Sequence, residues 1–319
     1  MVSLNQIKRI FRKISSRNRL FAFVYQYAAE LKMEVFKSLT DEEYIRQRYK
    51  ECMGRELDLD NPLKFTEKLQ WLKLNDRNPR YTELADKYLV KNVIGNKIGY
   101  DHVIPIVGGP WSSVDEICFD KLPERFVLKC NHDCGSTIVC TDKSIFDYKK
   151  AKKFLDRRLR ENYYLMSREW PYKNIKPLIF AEKYMVNSES NDLKDYKFLC
   201  FDGEPRIMFI ASDRTNVTTE TKFDFFDMDF SPLHIVNGHP NSVILPQKPN
   251  SFNEMKKLAR IISEGIPHVR VDFYEVDGRV YFGEMTFYHY GGIVPFEPET
   301  WDDTLGTYIS LPTIECYSE

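Results

Sequence analysis

The sequence predicts a mixed α/β fold with a helical N-terminal region. Three observations carry that prediction: helical apolar spacing through residues 41–100, alternating strand and helix texture from 101 onward, and a hairpin at 270–286. At 319 residues the chain can bury a large core and divide into subdomains. The divisions read as a basic amphipathic segment at 1–40, a helical region at 41–100, and two α/β subdomains at 101–181 and 182–319.

Along the chain, Leu4, Ile7, Ile10, Phe11 and Ile14 recur at helical spacing, and residues 1–20 hold six Lys or Arg and no acid. Residues 1–19 therefore read either as a helix lying on an anionic membrane surface or as one with solvated charges. Residues 20–37 continue as an ordinary packed helix. Thr40-Asp-Glu-Glu43 carries an N-cap signal, and Asn61-Pro62 separates the next helix, with Phe65, Leu69, Leu72 and Leu74 as its core stripe. A further amphipathic helix spans 81–98. Strands are expected at His102–Val107, Phe126–Cys130, Thr137–Cys140 and Leu178–Met185, with a charged helix at 147–166. A hairpin at Tyr196–Asp213 closes on Asp202-Gly203, β segments follow near 222–229 and 233–236, and a helix at 251–264 leads into the last hairpin.

Charge is balanced, 46 basic residues against 47 acidic, which argues against a nucleic-acid binder. Seven cysteines without a C-x-x-C pair suit a reduced, cytoplasmic protein. No apolar run reaches membrane-spanning length, and no signal-peptide pattern is present.

The last hairpin concentrates the chemistry. It runs Arg270-Val-Asp-Phe-Tyr-Glu-Val-Asp-Gly-Arg-Val-Tyr-Phe-Gly-Glu-Met-Thr286. Arg270 and Asp272 share one strand face, as do Glu284 and Thr286 on the return strand. If the two sets face the same way, a cation, two carboxylates and a hydroxyl converge. Such a patch is costly to bury unless a ligand neutralises it, and hard cations take oxygen donors and nucleotide phosphates. The hairpin therefore reads as a site for Mg²⁺ under the phosphates of ATP.

Other motifs are weaker alone. Phe126-Val-Leu-Lys129 is an apolar strand ending in a lysine that wants an anionic partner, and the loop Asn131–Thr137 after it can offer N–H groups to phosphate. Glu182 and Lys183 end another apolar strand. Lys194, Asp195 and Lys197 open the next hairpin, equally readable as a solvated face. The spacing of Cys130, His132, Cys134 and Cys140 does not match zinc knuckles. Asp227-Met-Asp229 is a D-x-D, common by chance. No P-loop, G-x-G-x-x-G, G-x-S-x-G or H-E-x-x-H occurs.

In this order the motifs resemble the ATP-grasp fold, and more closely the teichuronopeptide-biosynthesis (TupA-like) ATP-grasp family of surface-polysaccharide gene clusters. The resemblance rests on Asn61-Pro-Leu-Lys-Phe-Thr-Glu-Lys-Leu-Gln-Trp-Leu72, Leu84-Ala-Asp-Lys-Tyr88, Phe126-Val-Leu-Lys-Cys-Asn-His132, Tyr196-Lys-Phe-Leu-Cys-Phe-Asp-Gly203, Arg270–Tyr274 and Phe282-Gly-Glu-Met-Thr-Phe287. It covers about residues 45–310 and leaves out the basic N-terminus.

The resemblance implies roles. Lys129 contacts the α/β-phosphates, under a flexible flap formed by 131–137 that includes Ser136. Glu182, Lys183, Tyr184 and Met185 line the adenine, with Lys183 also reaching the nucleotide. Asp195 serves the ribose and Lys197 a phosphate. Arg270 steadies the transferring phosphoryl group. Asp272 and Glu284 ligate Mg²⁺, with Thr286 where many relatives carry Asn. His289, Tyr290, Gly291 and Gly292 sit where the acceptor approaches.

The implied activity is an ATP-dependent carboxylate–amine ligase acting through an acyl phosphate in capsular or other surface-polysaccharide assembly. The carboxylate would be a sugar acid or glycan and the amine an amino acid or peptide. A homodimer is a further implication, while the cysteine pattern places the enzyme in the cytoplasm and the basic 1–19 segment would let it lie peripherally on the inner face of the membrane. Rival readings are a sugar kinase on the same fold, a glycosyltransferase using Asp227 and Asp229, and a membrane-surface scaffold.

Overall fold

The computed structural model describes residues 36–187, 193–213 and 220–313. The amphipathic helix expected at 1–19, and nearly all of 20–37, lie outside the described residues. Four helices come first: α1 (Asp41–Met53), α2 (Phe65–Asn75), α3 (Arg80–Ala85) and α4 (Val90–Ile98). The α1 cap is reciprocal. Thr40 Oγ1 accepts from the Glu43 N–H at 3.3 Å, and Glu43 Oε2 accepts from the Thr40 N–H at 2.8 Å. Two N–H groups near the helix start are satisfied in this way.

The single helix expected at 81–98 is instead two. Asp86 Oδ1 accepts from the N–H groups of Tyr88 and Leu89 at 2.8 and 3.0 Å, and its Oδ2 accepts from Asn131 Nδ2 at 2.7 Å. A side chain that captures nearby backbone competes with the helix. Here it also ties the helical region to the 131–137 loop.

Strand β1 (Ile106–Trp111) follows a tight turn at Tyr100–His102 and so lies later than the expected His102–Val107. Its pairing shifts around Gly108, Gly109 and Pro110, which an edge strand tolerates. With β2 (Phe126–Cys130), β3 (Ile138–Cys140) and β4 (Ile179–Lys183) it forms an antiparallel sheet of order β1-β4-β2-β3. The division expected at 181/182 falls inside β4, which keeps Glu182 and Lys183 with this first sheet. The helix expected at 147–166 is also two, α5 (Tyr148–Leu159) and α6 (Tyr163–Ser167), because Asn162 caps the second by accepting from the Leu165 N–H. Leu155 of α5 is buried with Phe126, Leu128 and Ile179, which makes one small core.

The second sheet is built from β5 (Asp195–Phe201), β6 (Glu204–Ser212), β7 (Lys222–Asp227) and β8 (Pro232–Leu233), while β9 (Val236–Asn237) leaves it. Helix α7 (Phe252–Ser263) then leads to β10 (His268–Val276) and β11 (Arg279–Thr286), followed by β12 (Phe296–Glu297), which pairs with β9, and α8 (Thr300–Gly306). The strand order is β11-β10-β5-β6-β7-β8, antiparallel throughout. Both predicted two-residue turns form. Asp202 and Gly203 have φ of 47° and 81°, and Asp277 and Gly278 have 49° and 76°. Positive φ at both positions matches the twist of the flanking strands. Phe252, Met255 and Ala259 of α7 pack among Phe198, Met208 and Phe273 of the sheet. Every residue of β5 is buried, so Asp195 and Lys197 on it must find charged partners.

Candidate active site

The β10–β11 hairpin brings its four polar residues together. Arg270 pairs with Thr286 across the ladder, and Asp272 with Glu284. A bulge makes this register possible. Phe273 faces Phe282 and Asp272 faces Glu284, which leaves Gly283 as the extra residue. Without it, Glu284 would share the face of Phe282 and point into the core. A Cβ at Gly283 would meet the Tyr274 ring at 3.1 Å and the Asp272 carbonyl oxygen at 3.2 Å, so glycine suits the bulge.

Arg270 grips Asp272 with two parallel hydrogen bonds, Nε to Oδ1 and Nη2 to Oδ2, each 2.7 Å. Nη2 also donates to Thr286 Oγ1 at 3.0 Å and to Glu284 Oε1 at 3.1 Å. From β5, Lys197 donates to Asp272 and pairs with Asp195 at 2.6 Å. Burial pushes the half-buried Glu284 carboxyl up, but Lys87, Arg270 and Lys197 together hold it below its ordinary value. Behind Arg270, the ring of His289 is kept neutral by burial and by the arginine's own charge. Its Nε2 lies 2.8 Å from Asn237 Oδ1, while Asn237 Nδ2 donates to the Val294 and Pro295 carbonyls. Nε2 therefore carries the proton, and Nδ1 accepts from Arg270 Nη1 at 3.3 Å. His289 orients the arginine.

A second charged group bridges the first sheet and α4. Glu182, 3% exposed, receives Lys129 at Oε2 and Lys91 at Oε1, each at 2.5 Å. Burial alone would raise its carboxyl, but the two ammonium groups bring it down to about 2. Lys91 also donates to the Ile104 carbonyl at 3.2 Å. Lys87, between α3 and α4, links the hairpin to the 131–137 loop. Its backbone N–H donates to the Asn131 carbonyl at 3.1 Å, its Nζ to the Asp133 carbonyl, and Nζ stands 4.0 Å from Glu284 Oε2.

Not every expected position matches. The 131–137 loop is not a loose flap on its inner side. Asn131, His132, Asp133 and Ser136 are buried, and Ser136 Oγ accepts from the Cys130 N–H and donates to Asp133. Cys134 and Gly135 form its exposed tip. Asp195 is buried beneath Lys197, a position that supports Lys197 rather than a ribose. Lys183 is exposed, Met185 is half-buried, and Tyr184 lies under Arg125 at 5.6 Å. Asp227 uses its carboxylate to accept from the N–H groups of Asp229 and Ser231, which closes the turn after β7.

A cavity of about 430 Å³ opens beside the hairpin, lined by Arg270, Glu284 and Thr286 on one part and by Lys73, Lys87 and Glu169 elsewhere. Tyr290 and Gly291 line it too, while the neighbouring Gly292 carbonyl accepts from Gln70. Lys73, Lys91 and Glu169 went unmarked in the sequence, and Lys87 stood only inside the Leu84–Tyr88 motif with no role given. A signal existed for Lys73, which sits four residues after Leu69 on the apolar stripe of α2.

Could the hairpin hold a magnesium ion? Its donors are two carboxylates and a hydroxyl, all hard oxygens on adjacent strands, which fits a cation that takes its remaining ligands from phosphate and water. Among the described residues no three His, Cys, Asp or Glu gather as a metal cluster, so the set is two acids and a neutral oxygen.

A model of the TupA-like ATP-grasp family matches residues 67–310 of the chain. Among solved structures, similar ones include a D-alanine–D-alanine ligase from Bacillus anthracis complexed with ATP, at 15% identity and TM-score 0.36, covering 64% of this chain and 54% of that one. An L-amino acid ligase from Bacillus licheniformis has 11% identity and TM-score 0.44, with 72% and 50% covered. A D-alanine–D-alanine ligase from Helicobacter pylori has 12% identity and TM-score 0.40, with 77% and 69% covered. The chain spans about half the length of the first two, at 54% and 50%. No curated protein matches it by sequence.

Proposed function

The chain belongs to the TupA-like ATP-grasp family, and from that premise we propose that it is an ATP-dependent ligase. It joins a carboxylate to an amine through an acyl phosphate, in assembly of a capsular or other cell-surface polysaccharide. The carboxylate is a sugar acid or glycan and the amine an amino acid or peptide. The observation that carries this reading is the Arg270 fork on Asp272 beside Glu284 and Thr286, on the wall of a cavity large enough for a substrate.

Phosphoryl transfer asks a protein for positioning and charge neutralisation rather than a covalent group. Asp272, Glu284 and Thr286 would hold Mg²⁺, which when bound would neutralise phosphate charge. Arg270, fixed by Asp272, Glu284, Thr286 and His289, keeps one Nη1 N–H for the transferring group. Lys129 and Lys91, paired with Glu182, would exchange that carboxylate for phosphate oxygens. Lys197 is held ready by Asp195 and Asp272. Residues 182–185 serve the adenine, mostly through backbone groups. Attachment to the inner membrane face through residues 1–19 and a homodimeric state belong to the same reading.

The test is a screen of uronic acids against amino acids with ATP and Mg²⁺. Release of both ADP and free phosphate, only when both substrates are present, is the expected result. ADP release from one substrate alone, with phosphate retained on it, would replace the ligase by a sugar kinase.

A further inference from the structure

The cavity beside the hairpin holds one carboxylate that the reading above does not use. Glu169 is 5% exposed and lines the cavity, yet its side-chain oxygens accept no hydrogen bond and make no ion pair with the described residues. An acid buried so deeply without a partner is costly to keep charged. Lys73, whose charge acts on it most strongly, makes no ion pair with it; Lys73 Nζ donates to the Gly291 carbonyl at 2.8 Å and to that of Ser167 at 3.2 Å. Both groups border Gly291, where a Cβ would meet Lys73 Nζ at 3.7 Å and Glu169 Oε1 at 3.8 Å. Gly291 has φ of 62°, so a glycine both allows the turn and keeps the space beside the carboxylate open.

We propose that this cavity is the subsite for the amine substrate, and that Glu169 receives its ammonium and accepts its proton. The inference rests on the ligase reading and deepens it. A carboxylate substrate would be repelled by Glu169 and drawn to Arg270. Arg48, Lys73 and Lys87 also line the cavity and draw anions, so the ammonium is seated at Glu169 itself, with the rings of Tyr163 and Tyr172 in the lining.

The titratable groups around Glu169 are Arg48 from α1, Lys73 from α2, Lys87 from the α3–α4 link, Cys134 from the 131–137 loop, Arg270 and Glu284 from the hairpin, Tyr288 after it, Tyr163 from α6 and Tyr172. Burial raises the Glu169 carboxyl, against the pull of Lys73, Lys87 and Arg270, to about 7. Tyr163 is pushed upward by the Glu169 charge and then by burial, and Tyr172 by burial first, so both stay protonated. With the carboxylate substrate activated as an acyl phosphate, the ammonium gives one proton to Glu169. The nitrogen lone pair then forms the C–N bond as the C–O bond to phosphate breaks, and the second proton leaves with the phosphate.

The experiment is calorimetry on wild type, Glu169→Gln and Glu169→Asp, each saturated with Mg²⁺ and a nonhydrolysable ATP analogue. The probes are the common L-amino acids and glucosamine, each beside its N-acetyl form, at about pH 6 and about pH 8. At least one free amine should bind wild type, with its N-acetyl form at least about tenfold weaker. For the amino acids that binding should tighten about tenfold from about pH 6 to about pH 8, as Glu169 ionises and Lys73, which burial brings down to about 8, starts to lose its charge. Glu169→Gln should lose the affinity and most of the pH dependence, Glu169→Asp should keep part of each, and all three should bind the analogue alike. Equal binding of free and acetylated amines, wild-type behaviour in Glu169→Gln, or no amine binding by protein that takes the analogue would overturn the inference. Failure of wild type to bind the analogue would instead defeat the nucleotide site, and this inference with it.

Discussion

Glu182 shows how single residues set this site's balance. Its folded carboxyl lies at about 2 against an ordinary 4.5. A depressed carboxyl stabilises the fold above the unfolded value and loses that contribution as pH falls through the folded one. Taken alone the shift is worth about 3 kcal/mol. Lys91 returns part of it, because burial drives its ammonium downward despite Glu182. Urea titrations should therefore show wild type losing up to about 3 kcal/mol between about pH 4.5 and pH 2, and Glu182→Gln losing clearly less. At Arg270 the fork geometry matters more than the charge. Arg270→Lys keeps the charge but not the paired bonds to Asp272, and turnover should fall about a hundredfold or more with nucleotide affinity largely kept. Near-normal turnover would remove Arg270 from the chemistry. The hairpin residues were legible because period-two spacing and an Asp-Gly turn fix faces locally. Lys91 and Glu169 were not, since each meets its site only through contacts distant in sequence.

The elements that aim these side chains are irregular ones. Gly283 is the bulge that turns Glu284 toward Asp272, and Gly283→Ala would crowd the Asp272 carbonyl. Its unfolding free energy should drop by about 1–3 kcal/mol, with Mg²⁺-dependent nucleotide binding weakened as well. Unchanged binding and stability would mean the bulge is incidental. Asp86 holds the break between α3 and α4 and, through Asn131, the base of the 131–137 loop. Asp86→Ala should cost about 1–3 kcal/mol in chemical denaturation, because it leaves the Asn131 amide without that acceptor. Helix boundaries were the least readable feature. Asp86 and Asn162 sit in otherwise continuous helical patterns, and only their captured N–H groups show that the helix stops. The capped start of α1 and the two Asp-Gly turns were readable, because each is settled within four residues.

At the scale of the molecule, two antiparallel sheets and a helical region supply different parts of the proposed site. The first sheet contributes Lys129 and Glu182, the second contributes the hairpin and Lys197, and the helices contribute Lys73, Lys87 and Lys91. Helical spacing and the alternation of strand and helix indicated the mixed architecture; of the helical lysines only Lys73 had a local signal, on the apolar stripe of α2. Residues 1–19 form a separate question. Their deletion should leave nucleotide binding unchanged and abolish sedimentation with anionic vesicles, and persistent sedimentation would assign attachment elsewhere. The central claim is a nucleotide–metal site on the β10–β11 hairpin. Its most direct test is calorimetric titration of wild type and Glu284→Gln with Mg²⁺ and a nonhydrolysable ATP analogue, beside Mg²⁺ with UDP-glucose. Glu284 is half-buried, so its replacement is better tolerated than that of the buried Asp272. Saturable analogue binding by wild type, weakened about tenfold or more in the variant and absent for UDP-glucose, is the predicted result. Equal analogue binding by both proteins, or binding of UDP-glucose alone, would contradict the account.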